Sequence, residues 1–358
     1  MMSQASKKAT DLKLEHVTKQ FSEVTAVNDV SFDIPHGKLV TLLGPSGCGK
    51  TTILRMIAGL EPVTSGHIYS GGEEVTHLPS NKRKIPMVFQ SYALFPHMDV
   101  YENIAYGLRV MHWSEERIKE TVEEVVEMLG LKGLTQRWMS ELSGGQQQRV
   151  AVARALVLKP KVLLFDEPLS NLDAKFRKHM RGEIRNLQKD LGITSVYVTH
   201  DQAEALAISD QIVVMENAVV SQIGTPEELY TRPENPFVAD FIGEANLLDV
   251  DVLGTHNGTA QVRVGSVELS VPYYQPPQRG DRAQLVIRPE DIRISSDRAA
   301  GLEGMVKFAL YQGASNDYMI ETEVGDLSMN DYESKGHLFE RGTQVFLTFR
   351  EDRAFLIC

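Results

Sequence analysis

Gly44-Pro45-Ser46-Gly47-Cys48-Gly49-Lys50-Thr51 is a glycine-rich run closed by a lysine and a hydroxyl residue, with Thr52 next. That order suits phosphate. Glycines let backbone N–H groups curl around an anion without Cβ clashes. A loop that feeds a helix N-terminus adds free donors and a favourable dipole. Lys50 is placed to reach the outer phosphates of a nucleotide. The Thr51 hydroxyl suits Mg²⁺, which takes oxygen ligands in an octahedron. Cys48 sits at the same helix N-terminus, a setting that favours thiolate. A second cluster follows an apolar run, Val162-Leu163-Leu164-Phe165-Asp166-Glu167. Two carboxylates at a strand's C-terminal end can divide the labour. Asp166 would hold the cation, and Glu167 would polarise the attacking water as general base.

The elements that must position these residues are legible as alternation. Leu39–Leu43, Met87–Phe89, Val162–Phe165, Ser195–Thr199 and Gln211–Met215 read as strands, with helical stretches between several of them. The phosphate loop should open a helix from Lys50 to about Leu60. Strand–helix alternation predicts an α/β fold on a mostly parallel sheet. Ser114 can N-cap a helix whose apolar face is Ile118, Val122, Val125, Val126 and Leu129. This helix belongs to an inserted helical block spanning about 91–158. Thr225-Pro226-Glu227-Glu228 reads as a capping box with proline at the first helical position. Beyond Gly243 the texture changes to short alternating strands: Gln261–Val264, Gln284–Ile287, Tyr318–Glu321 and Val345–Phe349. The expected domains are therefore 1–244 and 245–358.

The 358 residues carry a net charge of −11, and residues 245–358 hold 17 acidic against 11 basic residues. That balance disfavours a general nucleic-acid or anionic-membrane binder. The two cysteines, Cys48 and Cys358, suggest no disulfide framework. Met1 to Lys13 is polar, and no apolar run approaches the roughly 20 residues of a membrane helix. A cytoplasmic protein is expected, with any membrane role carried by a partner.

Leu142-Ser143-Gly144-Gly145-Gln146 adds a second anion cradle: a hydroxyl, two glycines and a helix N-terminus. With the P-loop before it and Asp166-Glu167 after it, the chain resembles ABC transporter ATPases from about Leu12 to Gly243. The resemblance implies that this cradle faces the γ-phosphate held by an opposite subunit, so the working unit is a homodimer around two ATP. It implies that Phe21 stacks on adenine, the alternative being a core phenylalanine. Gln90 would sense Mg²⁺ and the attacking water. Ser170-Asn171-Leu172-Asp173 would bring Asp173 to the dimer interface, and His200 would be the switch histidine near the γ-phosphate.

Ser91-Tyr92-Ala93-Leu94-Phe95-Pro96-His97-Met98, Gly144–Arg149 and Ile287-Arg288-Pro289-Glu290 narrow the resemblance. They look like importer ATPases of the maltose, polyamine and ferric-iron type, which carry a C-terminal OB-like (TOBE-type) regulatory domain. The expected architecture is an α/β P-loop NTPase (ABC ATPase) domain with an inserted helical subdomain, followed by a smaller all-β OB-like domain. The expected function is ATP hydrolysis coupled to solute uptake. Implied partners are two transmembrane permease subunits and a solute-binding protein, with no nucleic acid, at the cytoplasmic face of the cell membrane. Ferric iron is the first substrate candidate; polyamine, phosphonate and sugar phosphate are the alternatives. A soluble, non-transport ABC ATPase is the rival of a different class. The C-terminal domain is either a packing and dimer-contact module or a ligand sensor. The apolar Ser91–Met98 loop needs a burial partner, either the chain's own helical block or a helix of the membrane subunit.

Overall fold

The computed structural model describes residues 10–170, 172–273, 276–278, 282–296, 301–333 and 338–357; Asn171 and Cys358 lie outside the described residues. The chain forms two compact units that divide between Pro226 and Glu227.

The first unit is built on a six-stranded sheet. Its order is Val219–Gly224, Gln211–Glu216, Leu39–Leu43, Thr194–Thr199, Val162–Asp166 and Met87–Val88. All neighbours pair in parallel except the first two. Leu39–Leu43 and Thr194–Thr199 are buried along their whole length, as expected of a parallel sheet covered on both faces. Successive residues divide between two cores. Val162, Leu164, Val196 and Val198 join the helix Lys50–Ala58. Leu163, Phe165 and Tyr197 pack with the helices Gly144–Leu156 and Ala174–Leu191. Gly59, at φ 72°, ends the first of these helices in a left-handed cap.

The sequence reading assigns no element to residues 10–35. The structure makes them a long hairpin, Thr10–Phe21 with Val24–Pro35, at one side of a separate antiparallel sheet. Register shifts interrupt the pairing, and His16 and Asp29 adopt positive φ. Those bulges break the period-two pattern on which a strand assignment depends.

The inserted block comprises Val100–Val110, Glu115–Met128, a short turn of helix Met139–Glu141, and Gly144–Leu156. Ser114 does cap its helix, and Ile118, Val122, Val125 and Val126 are buried in the block's own core. The second unit holds two five-stranded antiparallel sheets over one core. Residues 227–243, assigned to the first domain from the sequence, group with this unit. Arg288 explains why. Its buried guanidinium donates to the carbonyls of Ala239 (2.7 Å), Glu244 (3.0 Å) and Tyr230 (2.9 Å) and lies over the Tyr230 ring. Glu290 accepts from the Tyr230 hydroxyl. Two residues of the Arg288-Pro289-Glu290 motif therefore fasten the Pro226–Thr231 and Pro236–Phe241 helices to the β-structure.

One ion pair anchors the central strand. The Asp210 carboxylate accepts the Leu39 N–H (2.9 Å) and both terminal nitrogens of Arg185 (2.9 and 2.8 Å). Burial works against the charge, but Arg185 and the Leu39 N–H outweigh it and hold the carboxyl below its ordinary value of 3.8. Asp210→Asn should lower unfolding free energy by about 2–3 kcal/mol, because Arg185 keeps its charge and loses a bidentate partner. A depressed native pKa stabilises above the unfolded value and is lost as pH falls through the native one. The gap between wild type and variant should therefore hold from about pH 8 to 5 and narrow only below about pH 4. Urea titrations over that range measure it.

Candidate active site

The phosphate loop leaves Leu43 at the sheet's C-terminal edge and turns directly into the helix Lys50–Ala58. Two of its glycines are obligatory by contact. A Cβ on Gly44 would lie 2.3 Å from the Met215 carbonyl oxygen, and one on Gly49 (φ 103°) 2.3 Å from that of Ala26. Pro45, Ser46 and Gly47 form the exposed crest. Lys50 is buried, and its ammonium donates back to the carbonyls of Gly44 (2.8 Å) and Pro45 (2.7 Å). Cys48 departs from expectation. Its side chain is buried in the core beneath the loop, with Sγ 3.6 Å from the Lys50 ammonium. The thiol is thus a packing group rather than an exposed nucleophile.

Thr51 Oγ1 donates to Asp166 Oδ1 at 3.1 Å, joining the two clusters read from the sequence. Thr52 follows on the same helix and is half-buried. Burial pushes the Asp166 carboxyl above its ordinary value; the Thr51 hydroxyl opposes this and the neighbouring Glu167 charge adds to it. A cation at these oxygens would reverse that balance. Glu167 adopts φ 44°, a left-handed conformation rare for a residue with a side chain. Its N–H donates to the Val198 carbonyl at 3.0 Å, and its carboxylate lies 3.2 Å from His200 Nδ1. His200 directly follows the strand Thr194–Thr199. Gln90 Nε2 donates to Ser170 Oγ (3.2 Å), and Ser170 Oγ donates to the Glu167 carbonyl (3.0 Å). Lys50, Thr51, Gln90, Asp166, Glu167 and His200 therefore converge on one edge of one sheet.

Phe21 stands at the hairpin tip, 44% exposed, with the Lys19 ammonium 4.5 Å from its ring centre. Ala26, on the following strand, meets Gly49, so the tip stands beside the phosphate loop.

Ser143, Gly144, Gly145 and Gln146 lie elsewhere, at the start of the helix Gly144–Leu156. Ser143 and Gln146 close a reciprocal capping box: Gln146 N–H donates to Ser143 Oγ (3.4 Å) and Ser143 N–H to Gln146 Oε1 (2.9 Å). Among the described residues no hydrogen bond joins these four to the phosphate loop. Asp173 caps the next long helix, accepting from the Phe176 N–H at 3.0 Å. Phe176 in turn lies against Gly145, where an added Cβ would come within 2.1 Å of its ring.

Sequence reasoning missed Arg154. It projects from the helix Gly144–Leu156 and donates to the carbonyls of Ala93 (2.7 Å) and Tyr92 (3.0 Å), two consecutive residues with positive φ. An arginine inside a helix carries no signal of a distant carbonyl partner. Of the two burial partners weighed for the Ser91–Met98 loop, the chain's own helical block covers much of it. Tyr92 is buried, Leu94 packs into that block's core, and the Phe95 ring packs at a tilt against Tyr106, 4.7 Å between ring centres.

Comparison with known proteins shows the family of the chain. The ABC transporter family model matches residues 27–170, and the TOBE domain model matches residues 285–357. The Fe(3+) ions import ATP-binding protein FbpC of Rhizobium etli is 51% identical over 324 residues, covering 90% of this chain and 91% of its own. Its namesake in Agrobacterium fabrum is 50% identical over 96% of both chains. That of Vibrio cholerae is 46% identical over 86% of this chain and 87% of its own.

Two outcomes are expected. Gly145→Ala drives a methyl group into the Phe176 ring and should cost about 1–3 kcal/mol. Adding Phe176→Leu should recover much of it, so a double-mutant cycle read by urea unfolding would be non-additive; additive losses would show that the ring is not the obstacle. In a Cys358→Ser background, maleimide should label Cys48 at least about tenfold more slowly in the native chain than in urea, with or without ATP.

Proposed function

This chain belongs to the ATP-binding subunits of ABC transporters, which hydrolyse ATP to drive transport, and we propose that it powers ferric-iron import as a homodimer bound to two permease subunits. The observation that carries the reading is the convergence of Lys50, Thr51, Asp166, Glu167 and His200 on one sheet edge. Ferric iron as cargo is supported by the names of relatives that are 46–51% identical over at least 86% of the chain. A solute-binding protein would deliver the iron to the permeases. Among the described residues no helix is long and apolar enough to cross a membrane, so the permeases would supply the channel.

The catalytic roles follow from chemistry and position. Backbone donors of Gly44–Gly49 and the Lys50 ammonium would cradle the triphosphate, with Thr52 at the start of the helix behind them. Lys50 now satisfies two loop carbonyls; an incoming phosphate offers it a stronger, charged acceptor. Phe21, exposed beside the loop, would stack on the base. Thr51 and Asp166 present only oxygen, 3.1 Å apart beside the anion cradle, which fits Mg²⁺; Gln90 offers a third oxygen from the neighbouring strand end. When bound, the ion would neutralise charge on the terminal phosphates. Glu167 would take the proton of the attacking water, and His200 would hold the Glu167 carboxylate in place.

Dimerisation is supported by the position of Ser143–Gln146. Among the described residues this cradle has no hydrogen bond to its own chain's phosphate loop, and Ser143 and Gly144 are exposed. A second copy would place it over the γ-phosphate, with Asp173 near the same interface.

Glu167→Gln keeps shape and removes basicity. It should lower kcat about 10²–10⁴-fold while ATP affinity is retained. Cells relying on the variant should lose uptake of radiolabelled ferric iron. Wild-type hydrolysis would overturn the role of Glu167. Normal iron uptake in cells lacking the whole chain would overturn the cargo.

A further inference from the structure

Behind Glu167 and His200 lies a buried polar network that the chemistry above does not use. Its centre is Glu204, 3% exposed, in the first turn of the helix Gln202–Ile208. Asp201 caps this helix, its carboxylate accepting the Glu204 N–H at 3.0 Å. The Asp-x-x-Glu spacing would ordinarily send the glutamate back to the cap's own N–H as a capping box. Here the cap's N–H donates instead to Thr199 Oγ1 (3.0 Å). The Thr199 hydroxyl in turn donates a hydrogen bond to Glu204 Oε2 (2.8 Å), and the buried Tyr197 hydroxyl donates to the same oxygen (3.2 Å).

His200 is the residue between Thr199 and Asp201, so both of its neighbours are clamped. The clamp reaches further. Arg177 donates to the second Asp201 oxygen (3.3 Å) and to the Leu172 carbonyl (3.1 Å). Leu172 lies two residues after Ser170, which bridges Gln90 and Glu167. A cavity of about 60 Å³ is lined by Glu167, His200, Arg177 and Glu204 among others. Burial pushes the Glu204 carboxyl up, so this group costs stability where an apolar side chain would not. The geometry gives it a use: one oxygen fixes two hydroxyls on the strand leading to the histidine.

We infer that Glu204 is a positioning residue for His200, acting through Thr199 and the Asp201 N–H to set the turn that aims the imidazole at Glu167. This rests on the reading that Glu167 and His200 serve ATP hydrolysis.

The test uses the full-length chain, with ATP as the probe. Thr199→Val is nearly isosteric and suits a strand, so it carries the test even if Glu204→Leu fails to fold. Both variants should lower kcat about ten- to a hundredfold, the scale of a small misplacement, while ATP affinity stays within about twofold. Glu204→Gln, which keeps an acceptor oxygen, should recover most of the loss. In a His200→Ala background, Thr199→Val should cause no further loss. The inference is overturned if the Thr199→Val loss persists undiminished in that background, if the loss lies in ATP affinity with kcat intact, or if Glu204→Gln is as impaired as Glu204→Leu. If His200→Ala itself hydrolyses ATP at the wild-type rate, the reading of the site falls, and this inference with it; that outcome is distinct from the other three.

Discussion

Parallel pairing of Leu39–Leu43, Thr194–Thr199 and Val162–Asp166 is the constraint on which the molecule depends. The register sets Leu43 opposite Thr199 and Asp166 opposite Val198. Because the strands run the same way, their chains leave at one edge, and the residues just beyond that edge become neighbours. Packing enforces the register. A slip of one residue would exchange Leu163 and Phe165 with Val162 and Leu164 between two differently shaped cores. The 3.2 Å approach of His200 to Glu167 is thus set by apolar side chains that never touch nucleotide.

Backbone strain is present at the same edge. Glu167, Tyr92 and Ala93 all hold positive φ without being glycine, at a cost on the order of 1 kcal/mol or more each. Each is held by a hydrogen bond from outside its own turn. Glu167 is fixed by Val198, and Tyr92 and Ala93 by Arg154. Such residues keep their conformation only while their partners stay in place.

Much of this arrangement was legible in the residues. The buried strands were read nearly to their ends, because a continuous apolar run followed by a glycine-rich or acidic turn admits few alternatives. The Ser114 helix was read because cap and apolar face agree. The hairpin Thr10–Phe21 with Val24–Pro35 was not, since bulges at its register shifts destroy the alternation that marks a strand. The burial of Cys48 was not legible, because a helix N-terminus fixes the electrostatics of a position but not which way its side chain turns. Arg154, Arg177 and Glu204 were missed for a related reason. Each acts on residues brought near only by the fold, and nothing in their local spacing distinguishes them from helix-surface charges.

The Arg288 contacts bear on how this chain can be divided. A cut after Gly243 would strip the guanidinium of its Ala239 and Tyr230 carbonyl partners and leave it in a site built to enclose it. The β-structure released that way would carry an orphaned buried cation, while the remaining fragment would trail two short helices parted from Arg288. Recombination between related genes, or a chimaera made at the bench, would exchange a self-sufficient cassette only if the junction fell ahead of Glu227. The two helices are heritable property of the C-terminal module, although they precede its first strand in the chain.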